Sequence, residues 1–197
     1  MEPTDDETEL ACLWHLWSVS GVRHYDLVRL RDRRGVRDLW EMEQIEVARC
    51  LQDAGLSETV AGDAIERIEA HPEPEERFEE EHERLPSDSR LLFAGDASYP
   101  ERLFDLEEPP TFLYVRGSVE ACRGNETLAV VGSRDVTVED VRFAKHIVTD
   151  VAEAGVRIVS GGAFGVDRAS HEAAIAVGTP TVVALPGGLD DPSPRSN

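Results

Sequence analysis

The chain has 197 residues, of which 41% are hydrophobic, so it is long enough to form one or two domains with a buried core. Forty acidic residues against twenty basic ones give a formal net charge of −20, and an acidic excess ordinarily disfavours binding to phosphate backbones. The three cysteines are far apart and form no CxxC pair, which argues against a disulfide framework and against a cysteine zinc site.

No apolar run is long enough to span a membrane, and the acidic N-terminus lacks the apolar core of a signal peptide. We therefore expect a cytoplasmic protein with no membrane partner, no metal and no cofactor. Lys145 is the only lysine among the twenty basic residues. Lysine depletion with arginine retained is typical of adaptation to a salty, halophilic cytoplasm, where screening shortens the reach of charge repulsion. The net charge therefore does not exclude a nucleic-acid partner.

The acidic charge is unevenly distributed. Residues 1–126 contain 31 acidic and 14 basic residues, a net charge of −17, whereas residues 127–197 contain nine and six, a net charge of −3. We expect this distribution if the later segment must bind an anion.

Residues 1–71 are predicted to form a small helical domain. Apolar residues recur at helical spacing in four places: residues 10–17, 25–30, 39–51 and 57–68. Ser57 is predicted as the N-cap of the fourth helix. The glutamate-rich segment that follows, residues 72–88, is predicted to be an acidic linker, with a solvated helix as the alternative.

The remaining residues, 89–197, predict an α/β domain. A strand, a turn and a second strand within residues 89–117 are expected to dock onto a sheet. Three further apolar strands, over 127–131, 157–160 and 181–185, are separated by two helices, which predicts a Rossmann-like parallel sheet that is incomplete at the C-terminus.

Local signals mark the ends of the two helices. Thr137 and Asp140 form a variant capping box at the start of the first, and Gly155 is its stop signal. Asp167 begins the second helix, which Gly178 ends. All loops that follow the parallel strands lie on one edge of the sheet, where open α/β sheets place their ligands.

The first of these loops contains Gly132, Ser133 and Arg134. Glycine permits close approach of a ligand, serine offers a hydroxyl, and arginine offers a bidentate fork for phosphate beside a helix N-terminus. The alternative is an ordinary turn in which Arg134 pairs with Asp135 or another carboxylate.

The second loop, residues 160–165, contains Ser160, Gly161, Gly162 and Gly165. Its spacing differs from GxGxxG, and it lacks the lysine of a P-loop, which disfavours nucleotide hydrolysis. Asp167 and His171 follow on one helical face. They either position a ligand, or act as a helix N-cap and as a histidine packed beneath the sheet.

Together these motifs resemble the DNA-processing protein A family, DprA, also called Smf. The motifs that carry the resemblance are Tyr99-Pro100-x-x-Leu103, Pro109-Pro110-x-x-Leu113-Tyr114-x-x-Gly117, the two loops above, and Gly188-Leu189-Asp190 with Asn197. Carried over by position, a DNA phosphate pocket would be lined by Gly132, Ser133, Arg134, Ser160, Gly161, Gly162 and Gly165, with Asp167 and His171 shaping it.

The resemblance implies a single-stranded DNA-binding protein, not an enzyme, that loads a RecA-type recombinase during natural transformation or recombination and can form a homodimer. It also implies a sterile-alpha-motif-like or helix-hairpin-helix-like N-terminal domain. Phe164 stands where the family has a basic residue, Ser193 replaces the tyrosine of the last motif, and the segment 20–23 lacks the second glycine of a DNA-gripping hairpin. The chain is expected to be a shortened version of a longer fold.

Two other functions stay open on the sequence. Pro186-Gly187-Gly188 also resembles the PGG turn of cytokinin-activating phosphoribohydrolases, but the Thr and Glu that follow in that motif are absent here. A nucleotide-binding or phosphoribohydrolase-like Rossmann enzyme is therefore the alternative. A degenerate domain that senses a small nucleotide is the third hypothesis.

Overall fold

The structure, a computed structural model, describes residues 5–83, 85–123 and 126–189. It divides into two compact units. The helical unit comprises Met1–Leu85 and Leu91–Leu113, and the α/β unit comprises Pro86–Arg90 and Tyr114–Asn197. The predicted fold class, a Rossmann-like parallel sheet preceded by a helical region, is confirmed. No helix in the described ranges is long and apolar enough to cross a membrane.

Five α-helices of the described chain belong to the helical unit. They are α1 (Asp5–Trp17), α2 (His24–Arg34), α3 (Gln44–Ala54), α4 (Glu58–Ala70) and α5 (Pro74–His82). Ser57 caps α4 as predicted, its hydroxyl accepting the Val60 N–H at 3.3 Å. The helix predicted over 39–51 is instead a 3-10 turn, Arg37–Glu41, followed by extended Met42 and then α3. The Trp40 indole fixes this turn by donating to the His71 carbonyl at 2.8 Å.

The segment predicted as an acidic linker contains α5. Pro74 occupies the first turn, where its missing N–H costs nothing. The helix packs on α1: the Thr8 hydroxyl donates to Glu75 at 2.7 Å, and the Trp14 and Phe78 rings meet edge to face with centroids 5.9 Å apart. An apolar and hydrogen-bonded face therefore orders a segment whose composition is dominated by charge.

Strands β1 (Ser89–Phe93) and β2 (Phe112–Arg116) pair with each other in a two-stranded sheet. In the described chain they do not pair with any strand of the parallel sheet, and their docking onto that sheet stays a prediction. Phe93 and Phe112 are buried in the core of the helical unit, with ring centroids 5.5 Å apart. Tyr99 is also buried, and its hydroxyl donates to the Pro110 carbonyl at 2.6 Å. Burial of these aromatic rings ties the two strands to the helices of the helical unit.

The α/β unit contains a three-stranded parallel sheet in the order β3-β4-β5. Its elements in chain order are β3 (Thr127–Ala129), α6 (Val138–Glu153), β4 (Arg157–Ser160), α7 (Val166–Ala176) and β5 (Thr181–Val183). Leu128 is in register with Ile158, and Ile158 with Thr181. The outer strands are two residues shorter than predicted, whereas β4 has the predicted bounds.

Local sequence signals determine where α6 begins and ends. The Thr137 hydroxyl accepts the Asp140 N–H at 3.2 Å, and Asp140 accepts the Thr137 N–H at 2.9 Å, which is the predicted capping box. Gly155 follows the helix with a φ of +88°. The small core of this unit is formed by Val148, Ala152, Ile158, Ala173 and Ala174. It fixes α6 and α7 against β4 and so positions the loops between them.

Candidate nucleic-acid interface

The two glycine-rich loops lie at the carboxyl ends of adjacent strands. Residues 132–134 follow β3, and residues 161–165 follow β4, and these strands pair in parallel. The third loop begins after β5, but residues 190–197 of the last predicted motif lie outside the described residues. The candidate interface therefore consists of the first two loops and the start of α7.

A close backbone contact joins the first two loops. Gly165 has a φ of +85°, and a Cβ placed on it would lie 2.2 Å from the Ser133 carbonyl oxygen. The same oxygen accepts the Val166 N–H at 3.2 Å. A Cβ on Gly132 would lie 2.5 Å from a methyl carbon of Val166. Both positions therefore require glycine, and we call this contact the glycine junction.

Ser133 and Arg134 are exposed beside the glycine junction. The Ser133 hydroxyl is bonded locally, to the N–H and the carbonyl of Asp135 at 3.1 and 2.7 Å. Arg134 forms no ion pair with any carboxylate of the described residues, so the alternative in which it pairs with Asp135 or another carboxylate is not observed there. Its five guanidinium donors are available to an anion.

Ser160 serves the sheet. It is buried, and its hydroxyl donates to the Val130 carbonyl at 2.6 Å, which links the end of β4 to the residue after β3. The Ser160 hydroxyl hydrogen is therefore used within the sheet and is not available to a phosphate, whereas the resemblance implies that it would be. Gly161 and Gly162, which follow it, are half-buried. A Cβ on Gly161 would lie 2.7 Å from Asp167 Oδ2, so this glycine leaves room for the carboxylate.

Asp167 and His171 support the second loop from within α7. Gly165 is the N-cap of this helix, so the expectation that Asp167 caps it is wrong. Asp167 is buried, and its Oδ2 accepts the Ala163 N–H at 3.4 Å. His171 Nε2 lies 2.9 Å from the Gly161 carbonyl oxygen, and its Nδ1 lies 2.8 Å from the Thr181 hydroxyl. A carbonyl only accepts, so Nε2 carries a proton and the imidazole ties this loop to β5.

Two cations that sequence reasoning did not identify bond to Glu172 of α7. Arg168 Nε donates to Glu172 at 2.8 Å, and Lys145 Nζ on α6 donates to the other oxygen of the same carboxylate at 2.6 Å. These bonds, first that from Lys145 and then that from Arg168, lower the pKa of Glu172. The spacing of Arg168 and Glu172, four residues apart, was the available signal. The contact from Lys145 depends on helix packing and has no local signal.

Phe164 projects from the second loop and is 40% exposed. The Arg168 guanidinium lies 6.0 Å from the ring centroid, at the outer limit of a cation–π contact. Nowhere in residues 5–83, 85–123 and 126–189 do three His, Cys, Asp or Glu side chains converge as a metal site. What the two loops present is one unpaired guanidinium, the N-terminus of α7 and one exposed aromatic ring.

Comparison with known proteins identifies the family. The model of the family "DNA recombination-mediator protein A" matches residues 90–197, more than half of the chain. The chain belongs to this family. The resemblance to the DprA and Smf proteins is thereby confirmed, and the matched residues include both loops of the glycine junction.

Curated relatives carry the same family names. "Protein Smf" of Borreliella burgdorferi is 32% identical over 109 residues, which cover 55% of this chain and 34% of that protein. A "Putative DNA processing protein DprA" of Mycobacterium tuberculosis is 44% identical over 108 residues, which cover 54% of this chain and 28% of that protein. The matched part of the chain thus spans about a third of the length of these relatives.

A solved structure shares the fold. The X-ray structure of DNA processing protein A from Streptococcus pneumoniae superimposes with a TM-score of 0.65 at 23% sequence identity. The match covers all of this chain and 62% of that one. At this identity the likeness establishes the fold alone.

Proposed function

We propose that this chain is a non-enzymatic, single-stranded DNA-binding protein of DNA processing and recombination. Membership of the DNA recombination-mediator protein A family supports the biological context. The observation that carries the proposal is Arg134, which is exposed and has no ion-pair partner among the described residues. It stands beside the glycine junction at the carboxyl edge of the sheet.

The chemistry of this edge suits a phosphate. An arginine fork binds phosphate oxygens through two parallel hydrogen bonds, and the dipole of α7 adds partial positive charge at its N-terminus. The glycines let a phosphate approach the backbone closely. Residues 127–197 are also nearly neutral, whereas residues 1–126 carry most of the negative charge. The repulsion that a DNA backbone meets is therefore weakest in this segment.

The side chains at the interface support a binding role over an enzymatic one. The hydroxyls of Ser133 and Ser160 are each bonded to backbone groups. His171 uses both ring nitrogens within the fold. None of these groups is paired with another as nucleophile and base. Release of free base from nucleoside monophosphates by the purified chain would instead establish the phosphoribohydrolase-like alternative.

A salt-titrated binding assay tests the proposal. Fluorescence anisotropy of labelled single-stranded and double-stranded oligonucleotides would be measured across a wide salt range, because the net charge of −20 makes the affinity depend strongly on salt. We expect binding to single strands, weakened by Arg134→Ala and unchanged by Arg90→Ala, which removes an equal charge from an exposed position of β1. Absence of binding at every salt concentration at which the chain stays folded would refute the proposal.

We further propose a cytoplasmic role in which the DNA-bound chain, as a homodimer, loads a RecA-type recombinase, as the family resemblance implies. Filament nucleation on single strands coated with single-strand-binding protein should be faster with the wild-type chain than with Arg134→Ala. Sedimentation analysis with and without oligonucleotide tests the dimer. Equal nucleation rates with the two proteins would contradict the loading role.

A further inference from the structure

Phe164 is an exposed aromatic ring on a backbone that cannot easily move. On one side, the Ala163 N–H donates to Asp167 at 3.4 Å, and the Ala163 carbonyl accepts the Arg168 N–H at 3.2 Å. On the other side, Gly165 is enclosed by the Ser133 carbonyl. Single exposed aromatic residues are common, but this one is held between two anchored neighbours, so it is pre-organised for a contact.

The ring is attached next to the position of Arg134. A Cβ on Gly165 would lie 2.9 Å from the Arg134 Cα, and consecutive Cα atoms are about 3.8 Å apart. The guanidinium and the phenyl ring therefore start from adjoining points of the glycine junction. One is a partner for a phosphate, and the other is a partner for a flat apolar surface.

The surroundings of the ring leave it accessible. Arg168 approaches only to 6.0 Å from the centroid, and its guanidinium is held by Glu172, which Lys145 also holds. The ring keeps 40% of its surface exposed. A nucleobase is the flat partner that accompanies a phosphate, and only unpaired bases offer their faces for stacking on a protein.

We infer that Phe164 is a base-stacking residue, whose ring packs on a nucleobase of the strand that Arg134 contacts through phosphate. This inference rests on the proposed function and deepens it, because it assigns part of the affinity to a contact independent of charge. Base stacking on an aromatic side chain is tolerant of sequence. The site should accordingly accept every base and require that a base be present.

The test separates stacking from phosphate binding. Phe164→Ala and Phe164→Trp would be titrated with an oligothymidylate and with an abasic strand of the same length, over a series of salt concentrations. We expect Phe164→Ala to weaken binding to the oligothymidylate about tenfold, with an unchanged salt slope and no effect on the abasic strand. Phe164→Trp should retain the affinity. Arg134→Ala should weaken both strands and lower the slope by about 0.7.

A matched control is Phe143→Ala, which removes a ring that is 66% exposed on α6 and should leave binding unchanged. Equal affinity of Phe164→Ala and wild type for the oligothymidylate would overturn the inference, as would an equal loss on the abasic strand. Either result leaves the proposed function standing if the wild-type chain binds. If the wild-type chain binds neither strand, the proposed function has failed, and the stacking inference fails with it.

Discussion

Acid should destabilise the helical unit through His15, a histidine with no exposed surface. Its Nε2 lies 3.0 Å from the Pro74 carbonyl oxygen, which only accepts, so Nε2 carries the proton of the neutral ring. Its Nδ1 is buried without a hydrogen-bond partner in the described chain. Protonation would thus place a charge in the core and leave the new N–H unsatisfied.

The surroundings of His15 oppose its protonation. Burial is the largest effect and lowers the pKa of His15 from 6.5 to about 4, against the hydrogen bond to Pro74, which raises it. The His71 ring, centred 4.7 Å away, and the cations Arg67 and Arg77 lower the pKa further. Burial likewise lowers the pKa of His71. In the folded chain His15 therefore stays neutral down to about pH 4, well below the ordinary histidine range.

The sign and size of the effect follow from linkage. His15 binds a proton near pH 6.5 in the unfolded chain and only near pH 4 in the folded chain. The contribution of neutral His15 to stability is therefore complete above about pH 6.5 and is lost as the pH falls towards 4. For this single group the loss between about pH 7.5 and pH 4.5 is about 2–3 kcal/mol. That is a large part of the stability of a small domain.

Urea unfolding followed by tryptophan fluorescence reports on this unit, because all three tryptophans, Trp14, Trp17 and Trp40, belong to it. His15→Gln retains a donor for Pro74 and removes the titration. We expect it to be less stable than wild type near pH 7.5, by about 1 kcal/mol through lost packing, and to lose less stability on acidification.

The difference in stability between wild type and His15→Gln cancels the contribution of the carboxylates, which titrate in both proteins. His146→Gln, at a side chain that is 75% exposed on α6, is the control and should keep the wild-type dependence on pH. Parallel stability curves for wild type and His15→Gln from pH 7.5 to 4.5, or a steeper one for the variant, would refute the reasoning.

Two further predictions concern the α/β unit. Gly165→Ala should lower the stability of the α/β unit by about 2 kcal/mol or more, because a positive φ is combined there with a backbone clash at Ser133. Gly155→Ala, at a similar φ but in open space, should cost about 1 kcal/mol. Thermal unfolding followed by circular dichroism measures both losses, and equal losses would contradict the glycine junction. Thr137→Ala should lower the stability of the α/β unit by about 1 kcal/mol, because it removes the cap that Thr137 shares with Asp140. Amide hydrogen exchange in the first turn of α6 should become faster. Unchanged exchange rates there would show that the cap contributes nothing.

Features set by neighbours in sequence were predictable. The Thr137–Asp140 capping box, the Ser57 cap and the bounds of β4 depend on residues within a few positions of one another. The parallel direction of the three strands also followed from the sequence, because alternating strands and helices leave few ways to bury their apolar faces. The sequence alone therefore predicts that the three loops lie on one edge of the sheet.

Features set by distant contacts were not predictable. The Ser160 hydroxyl bonds to Val130, thirty residues away, which no pattern around either residue indicates. Phe112 pairs with Trp17 in the helical unit, with ring centroids 5.3 Å apart, although it lies on a strand. The identity of the α7 N-cap was missed for a similar reason. The close approach of the first loop fixes Gly165, and only the folded pair of loops contains that constraint.

The most direct test of the central claim is the salt dependence of single-strand binding by wild type and Arg134→Ala. An arginine that contacts a phosphate contributes about 0.7 to the slope of log affinity against log salt. We predict measurable binding by the wild-type chain and a slope that is smaller by about this amount in the variant. Binding with an identical slope in both proteins would place the DNA away from the glycine junction, and would contradict the site described by these two loops.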